Sequence, residues 1–189
     1  MIHMPNRGQS KEDMVAAVAP RASPTSTDVR VRGLVGAHLE VVWRSLKRLG
    51  VPDDGVDDAV QQVFIVASRK IDVIRPGEER GYLLGIALRV ASEARRSRAR
   101  RREVLEEIDE KSTERGPEDD LDQKRQLQKL NAILETMDPE LREVFVLFDL
   151  EELTLSEIAR AANIPRGTIA SRVRRAREHV RDALKRGEP

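Results

Sequence analysis

Apolar residues recur every three or four positions in most segments of this chain, which is the spacing of an amphipathic helix. Val42, Leu46 and Leu49 follow it in the first half, and Leu130 and Leu134 follow it in the second. Only 3% of residues are aromatic, so the core must be built from Leu, Val, Ile and Ala. These features favour helix over sheet, and we predict an all-α fold.

Breaks in the periodicity divide the chain. Residues 1–27 mix Pro, Ser, Thr, Gly and Ala without sustained periodicity, which predicts a disordered N-terminal tail. Three helices are predicted within residues 28–102, and further helices within residues 122–187. Residues 103–121 contain a Gly-Pro step and a run of like charge, which is typical of a flexible, extended connection. We therefore expect two small helical domains joined by a flexible acidic linker.

The second helix is expected to begin near Asp53 or Asp54, whose side chains can cap it. Asp138 and Pro139 predict the N-cap and the first position of a helix that runs to about Leu150.

The net charge of +1 conceals a strong segregation of charge along the sequence. Residues 95–102 carry six Arg, whereas residues 103–123 carry ten acidic and two basic residues. Residues 166–186 are basic again. Such blocks suit separate surfaces for a polyanion and for a basic partner, although salt-bridged, solvated helix surfaces are the alternative.

Several classes of protein are disfavoured. The absence of Cys excludes disulfides and thiolate catalysis and agrees with a reducing cytoplasm. No apolar run approaches the ~20 residues that span a bilayer, so we expect a cytoplasmic protein without membrane insertion. The carboxylate pairs Asp57-Asp58 and Glu151-Glu152 would diverge by about 100° on a helix, and no metal or nucleophile constellation accompanies them. We expect neither enzymatic activity nor a cofactor.

The C-terminal segment has the pattern of a helix-turn-helix. Thr154 and Glu157 can form a capping box that starts a short helix, and Asn163 with Pro165 can form the turn after it. The last helix then presents polar and cationic residues near its start: Arg166, Thr168, Ser171, Arg172 and Arg175. Its apolar stripe is expected to be buried, at Ile169, Val173, Ala176, Val180 and Leu184. A helix fits the major groove, and Arg can bond bidentately to guanine. The alternative is a basic amphipathic helix whose charges are merely solvated.

The sequences MDPELREVFVLFDLEELTLSEIAR at 137–160 and IPRGTIASRVRRAR at 164–177 closely resemble region four of extracytoplasmic-function (ECF) sigma factors. In that family the domain reads the upstream promoter element. The resemblance implies upstream contacts by Arg166, Gly167, Thr168, Ser171, Arg172 and Arg175. Ala170 departs from the family, whose members often have a basic residue there.

The sequence DDAVQQVF at 57–64 resembles, less closely, the region-two helix with which these factors bind the beta-prime clamp of RNA polymerase. It implicates Asp58, Gln61 and Phe64. An acidic and amide face around one aromatic could dock on a basic coiled coil. A plain helix start with a core Phe is the alternative.

The sequence YLLGIALRVASEARR at 82–96 resembles the family segment that melts and captures the downstream promoter element. The resemblance implies DNA contacts by Tyr82, Arg89, Glu93, Arg95 and Arg96. Tyr82, Arg89 and Glu93 stand where Trp, Asn and Asp are usual, and Arg cannot accept a hydrogen bond as Asn can. Tyr82 as an ordinary core residue is the alternative.

The resemblance implies an alternative sigma factor that binds core RNA polymerase through its beta-prime clamp and beta flap, and that directs transcription from promoter DNA. It also implies an anti-sigma partner. A sigma-like helix-turn-helix regulator that has lost promoter melting is the alternative, because the segment that includes Arg89 is atypical.

Overall fold

The computed structural model describes residues 26–104 and 121–187, with side chains described over 26–100 and 125–187. Its described residues form helices and turns, in agreement with the predicted all-α fold. The helices are α1 (Ser26–Arg48), α2 (Val56–Ser68), α3 (Glu79–Val104), α4 (Leu121–Thr136), α5 (Pro139–Phe145), α6 (Leu155–Ala162) and α7 (Arg166–Arg186). The predicted tail, apart from its last two residues, and most of the predicted linker lie outside the described residues.

Helices α1, α2 and α3 pack together around a core of aliphatic side chains. Val42 and Leu46 of α1, Val63 of α2 and Leu83 of α3 are almost completely buried. Each such side chain stabilises the fold by roughly 1.5–3 kcal/mol relative to an exposed one. The expectation that Asp53 or its neighbour caps α2 is wrong: these residues form a 3-10 turn, and Gly55 precedes α2 without a side-chain cap.

The start of α5 follows the sequence prediction. The side chain of Asp138 accepts a hydrogen bond from the backbone N–H of Glu140 at 2.9 Å, and Pro139 occupies the first helical position. The α-helix ends sooner than predicted, because Val146–Leu150 forms a π-helical turn. We call α1 to α3 the first helical group and α4 to α7 the second. Val146 and Leu147 in the π-helical turn are fully buried, so this segment is still the centre of the second helical group.

The buried stripe of α7 differs from the prediction at its end. Ile169, Val173 and Ala176 are buried as expected, whereas Leu184 is 60% exposed. Steps of four, three and seven residues connect the buried positions, so the stripe reaches Ala183 instead of Leu184. A strict four-residue step drifts around the helix, because an α-helix has 3.6 residues per turn.

Helices α3 and α6 bring the two helical groups into direct contact. One continuous set of buried apolar residues runs through both groups. The contact is close because Gly85 of α3 faces Ala161 of α6: a Cβ atom added at Gly85 would lie 3.2 Å from the Ala161 Cβ. The interface consequently places α6 over one face of α3.

Candidate polymerase and nucleic-acid interfaces

The leading end of α7 carries the residues predicted to read the upstream element. Arg166, Gly167, Thr168, Ser171 and Arg175 are all exposed on this end of the helix. The Ser171 hydroxyl donates to the backbone carbonyl of Thr168 at 2.8 Å. An exposed helix end that bears guanidinium and hydroxyl groups can enter a DNA groove.

Arg172 is the exception among these residues. Its guanidinium forms an ion pair with Glu140 of α5, and its side chain is only 16% exposed, whereas the Glu140 side chain is 65% exposed. Further along α7, Arg177 donates to the Asp149 carboxylate at 2.6 Å and lies 5.2 Å from the centre of the Phe148 ring. The hydrogen bond to Asp149 raises the pKa of Arg177. These two ion pairs hold α7 against α5 and the π-helical turn.

The capping box at α6 fixes the helix that precedes α7. The backbone N–H of Glu157 donates to the Thr154 hydroxyl at 3.2 Å, and the Thr154 N–H donates to the Glu157 carboxylate at 2.8 Å. Hydrogen bonds from the side chain and backbone of Thr154 lower the pKa of Glu157. Asn163 ends α6 with a φ of 55°, the left-handed conformation expected from its sequence position. The predicted capping box and turn are therefore confirmed.

Two of the three predicted polymerase-binding residues, Gln61 and Phe64, line an apolar groove between α1 and α2 with a volume of about 840 Å³. Asp58 follows the lining residue Asp57 in α2. Asp58 and Gln61 are exposed, and Phe64 lies at the groove with 8% of its surface exposed. At the rim, the Trp43 indole N–H donates to the Asp57 carboxylate at 3.2 Å. Phe64 belongs to the core and also lines the groove, so its location agrees with both interpretations that the sequence left open.

The α1 side of this groove was not predicted from the sequence. Val31, Val35, Leu39 and Trp43 line it at four-residue intervals. Leu39 and Trp43 are 46% and 39% exposed, which is unusual for large apolar side chains. The regular spacing was a usable signal, since it forms a second apolar stripe beside the core stripe of the same helix.

The residues predicted to contact the downstream element do not form one surface. Tyr82 is half-buried, and it lines a cavity of about 300 Å³ between α3 and α6 together with Arg89. Glu93 and Arg96 are exposed further along α3. Arg95 instead donates to the backbone carbonyl of Leu49 and to a carboxylate of the second helical group.

That carboxylate belongs to Glu143 of α5, so Arg95 bridges the two helical groups. Burial raises the pKa of Glu143, and the charge of Arg95 opposes this shift. Arg142 reinforces the bridge, because its guanidinium donates to the last carbonyls of α1, at Arg48 (2.5 Å) and Lys47 (3.3 Å). Burial and the neighbouring charge of Arg95 lower the pKa of Arg142 to about 10.

The buried carboxylate of Glu151 is a second feature that was not predicted from the sequence. Its carboxylate is fully buried, whereas its neighbour Glu152 is exposed. Arg80 of α3 donates to it at 2.7 Å, and guanidinium nitrogens of Arg48 and Arg44 lie 3.5 and 3.7 Å from it. No local pattern reveals this cluster, because its partners are about 70 to 110 positions away in sequence.

In the described part of the chain, no group of His, Asp and Glu residues is arranged to hold a metal ion. Within the same residues, none of the helices has the length and apolar character needed to cross a membrane.

Residues 127–180 match the protein family described as Sigma-70, region 4. The chain is 32% identical to the ECF sigma factor SigE of Mycolicibacterium smegmatis over 80% of its own length, and it spans 60% of that relative. It is 31% identical to the ECF sigma-E factor of Escherichia coli over 69% of its own length and 74% of the relative. The chain belongs to the ECF sigma factor family.

Two solved structures have the same fold as this sigma factor. The sigma factor RpoE of Bartonella quintana, in complex with the anti-sigma factor NepR, has a TM-score of 0.69 at 24% identity. That match covers 82% of this chain and 96% of RpoE. CnrH, in complex with the cytosolic domain of CnrY, has a TM-score of 0.59 at 24% identity over 84% of this chain and 89% of CnrH.

Proposed function

We propose that this sigma factor binds core RNA polymerase in the cytoplasm and directs it to promoters, where transcription then starts. The observation that carries the proposal is the exposed cationic end of α7, held in place by the capped helix α6 and by ion pairs to α5. Membership of the ECF family supports the same activity. In this role the protein confers promoter specificity and performs no bond chemistry of its own.

The upstream element is read by the leading end of α7, through Arg166, Gly167, Thr168, Ser171, Arg172 and Arg175. Guanidinium groups there can bond guanine edges, and hydroxyl groups can bond bases or phosphates. Arg172 can exchange its partner on binding, because the Glu140 carboxylate is largely exposed and a DNA phosphate offers an equivalent anionic acceptor.

Core polymerase binds at two places. The groove between α1 and α2, with Asp58 and Gln61 beside it and Phe64 at its base, docks on the beta-prime clamp. The groove offers an apolar centre with a polar rim, which is the usual anatomy of a protein interface. The second helical group, α4 to α7, binds the beta flap.

The downstream element is captured on α3, through Tyr82, Arg89, Glu93, Arg95 and Arg96. Tyr82 supplies the aromatic face on which an unpaired base can stack, and the arginines supply cations for the backbone. For these residues to reach both promoter elements, residues 28–102 and 122–187 act as separate domains, with residues 103–121 as the connection.

An anti-sigma protein is the proposed regulatory partner. RpoE of Bartonella quintana, which shares this fold, was solved with an anti-sigma factor bound. The exposed apolar side chains along the α1–α2 groove offer such a partner a docking surface that competes with polymerase.

Run-off transcription with purified core polymerase tests the proposed function. Genomic fragments enriched by chromatin immunoprecipitation of this protein serve as templates. We expect discrete transcripts that require both the sigma factor and a template with its promoter intact. Transcripts from none of the enriched templates would refute the proposal.

A further inference from the structure

The face of α3 that is proposed to capture DNA is covered by α6. Glu78, Tyr82 and Arg89 line one side of the 300 Å³ cavity, and Glu157 and Arg160 of α6 line the other. Base capture requires a flipped nucleotide to reach the aromatic ring from solvent. In this arrangement α6 of the helix-turn-helix forms the opposite wall of the cavity that Tyr82 lines, and it narrows the access to the ring from solvent.

Small residues allow α3 and α6 to pack closely against each other. Gly85 is buried, and a Cβ atom added there would meet Ala161 at 3.2 Å. One turn earlier, a Cβ atom at Gly81 would lie 3.2 Å from the Glu157 carboxylate and 3.8 Å from Leu153. Glycines at these two positions let α3 and α6 approach more closely than larger residues would allow.

The buried carboxylate of Glu151 connects the second helical group to α1 and α3. This residue belongs to the second helical group, but the three guanidinium groups around it belong to α1 and α3: Arg44, Arg48 and Arg80. Arg80 also donates to the Glu151 backbone carbonyl. Separation of the two helical groups would expose Glu151 to water and remove all three partners at once.

Not all hydrogen-bonding atoms of this cluster have a partner among the described residues. The buried Glu151 carboxylate faces three guanidinium groups, of which Arg44 also pairs with the exposed Glu40, at 3.7 Å. Within the described residues, the buried Glu151 Oε1 and Arg44 Nε have no hydrogen-bond partner. Buried groups that are paired but incompletely bonded contribute little net stability, because desolvation offsets much of their attraction. The contact is therefore specific and still reversible.

We propose that the Glu151 cluster and the Gly85–Ala161 contact form an autoinhibitory latch, which keeps the free sigma factor closed and restricts the access of DNA to Tyr82. The proposal rests on the proposed function, since it assigns a regulation to the same downstream face. Core polymerase opens the latch by binding the two helical groups at separate places.

The first test measures the closed state without any transcription. Because the chain has no Cys, Lys70→Cys and Lys185→Cys provide two unique exposed labelling sites, one in each helical group, for a spin-label distance measurement. We expect a single narrow distance distribution in the free protein, at the separation of the closed state. Glu151→Gln keeps the shape of the side chain and removes its charge, so it should raise the long-distance fraction roughly tenfold or more. The exposed Glu152→Gln is the matched control and should leave the distances unchanged.

The second test locks the latch. Gly85→Cys with Ala161→Cys places two Cβ atoms 3.2 Å apart, in an otherwise Cys-free chain. A small adjustment of α3 and α6 brings them into the roughly 3.5–4.5 Å range of a disulfide. We expect the oxidised double variant to retain its helical circular dichroism and to lose at least about tenfold of its run-off transcription, with recovery on reduction. The two single variants control for the substitutions themselves.

The outcomes separate the latch from the function. A disulfide that does not form, distances insensitive to Glu151→Gln, or full transcription by the oxidised variant would each overturn the latch. Should the reduced double variant be inactive, the Glu151→Gln distances in the otherwise native chain decide the question. Wild-type protein with short distances and no transcription on any template would instead count against the proposed function.

Discussion

At the scale of single residues, Arg175 and Arg172 differ although both belong to the leading end of α7. Arg175 is exposed, whereas Arg172 is held by Glu140. A free guanidinium can reach a base without breaking a contact, so Arg175 is the better candidate for direct base readout.

Arg175→Ala should therefore weaken binding to the promoter duplex by about 1–3 kcal/mol, with a much smaller effect on a scrambled duplex. Fluorescence anisotropy titrations on both duplexes at one salt concentration measure this. Arg181→Ala, an exposed residue further along the same helix, is the control and should affect both duplexes equally. Equal losses for Arg175→Ala on the two duplexes would show that this residue does not read bases.

The single Trp of the chain allows a second prediction at this scale. Trp43→Ala should weaken core polymerase binding by about 2 kcal/mol or more, because a half-exposed Trp at the rim of an apolar groove is a typical interface hot spot. Val73→Ala, which removes another exposed apolar side chain outside the groove, should have little effect. A native-gel competition for core polymerase measures both; equal affinity of Trp43→Ala and wild type would place the docking surface elsewhere.

At the scale of helices, the sequence predictions were accurate where the deciding residues lie close together in the sequence. The Thr154 capping box, the Asn163 turn and the Asp138 cap were predicted correctly, since each depends on residues within about four positions. The π-helical turn and the exposure of Leu184 were not predicted, because they depend on what packs against the helix.

The capping box gives a stability prediction. Thr154→Ala should lower the free energy of unfolding by about 1 kcal/mol, because it removes the acceptor for the Glu157 N–H. Ser156→Ala, an exposed hydroxyl within the same helix, should change it much less. Urea denaturation followed by circular dichroism measures both, and equal stabilities of the two variants would contradict the role assigned to the cap.

The lowered pKa of Glu157 adds a pH dependence. The ionised carboxylate is favoured in the folded state, so its contribution is complete above the ordinary Glu pKa of 4.5 and is lost as the pH falls through the lower folded value. The stability advantage of wild type over Glu157→Gln should consequently be constant at neutral pH and shrink in acid. An advantage that grew on acidification would reverse the assigned sign.

At the scale of the whole molecule, contacts between distant residues decide the arrangement. The helices and the exposed end of α7 were predicted from the sequence, and the family was indicated by its resemblance. The burial of Glu151 among Arg44, Arg48 and Arg80 was not predicted. Such a cluster cannot be read from periodicity, since each helix alone shows only charges on a polar face. The α1–α2 groove was not predicted for a different reason: its apolar stripe is present in the sequence, but it lies beside the core stripe of the same helix and was not recognised as a separate surface.

At this scale we therefore propose a sigma factor whose DNA-capturing face is closed until polymerase separates the helical groups. The central claim is that this chain, bound to core polymerase, opens promoter DNA. Permanganate footprinting on an immunoprecipitated promoter measures this directly. The account predicts reactive thymines near the start site only when sigma factor and core polymerase are both present; a duplex that is bound by both but remains unreactive would contradict it.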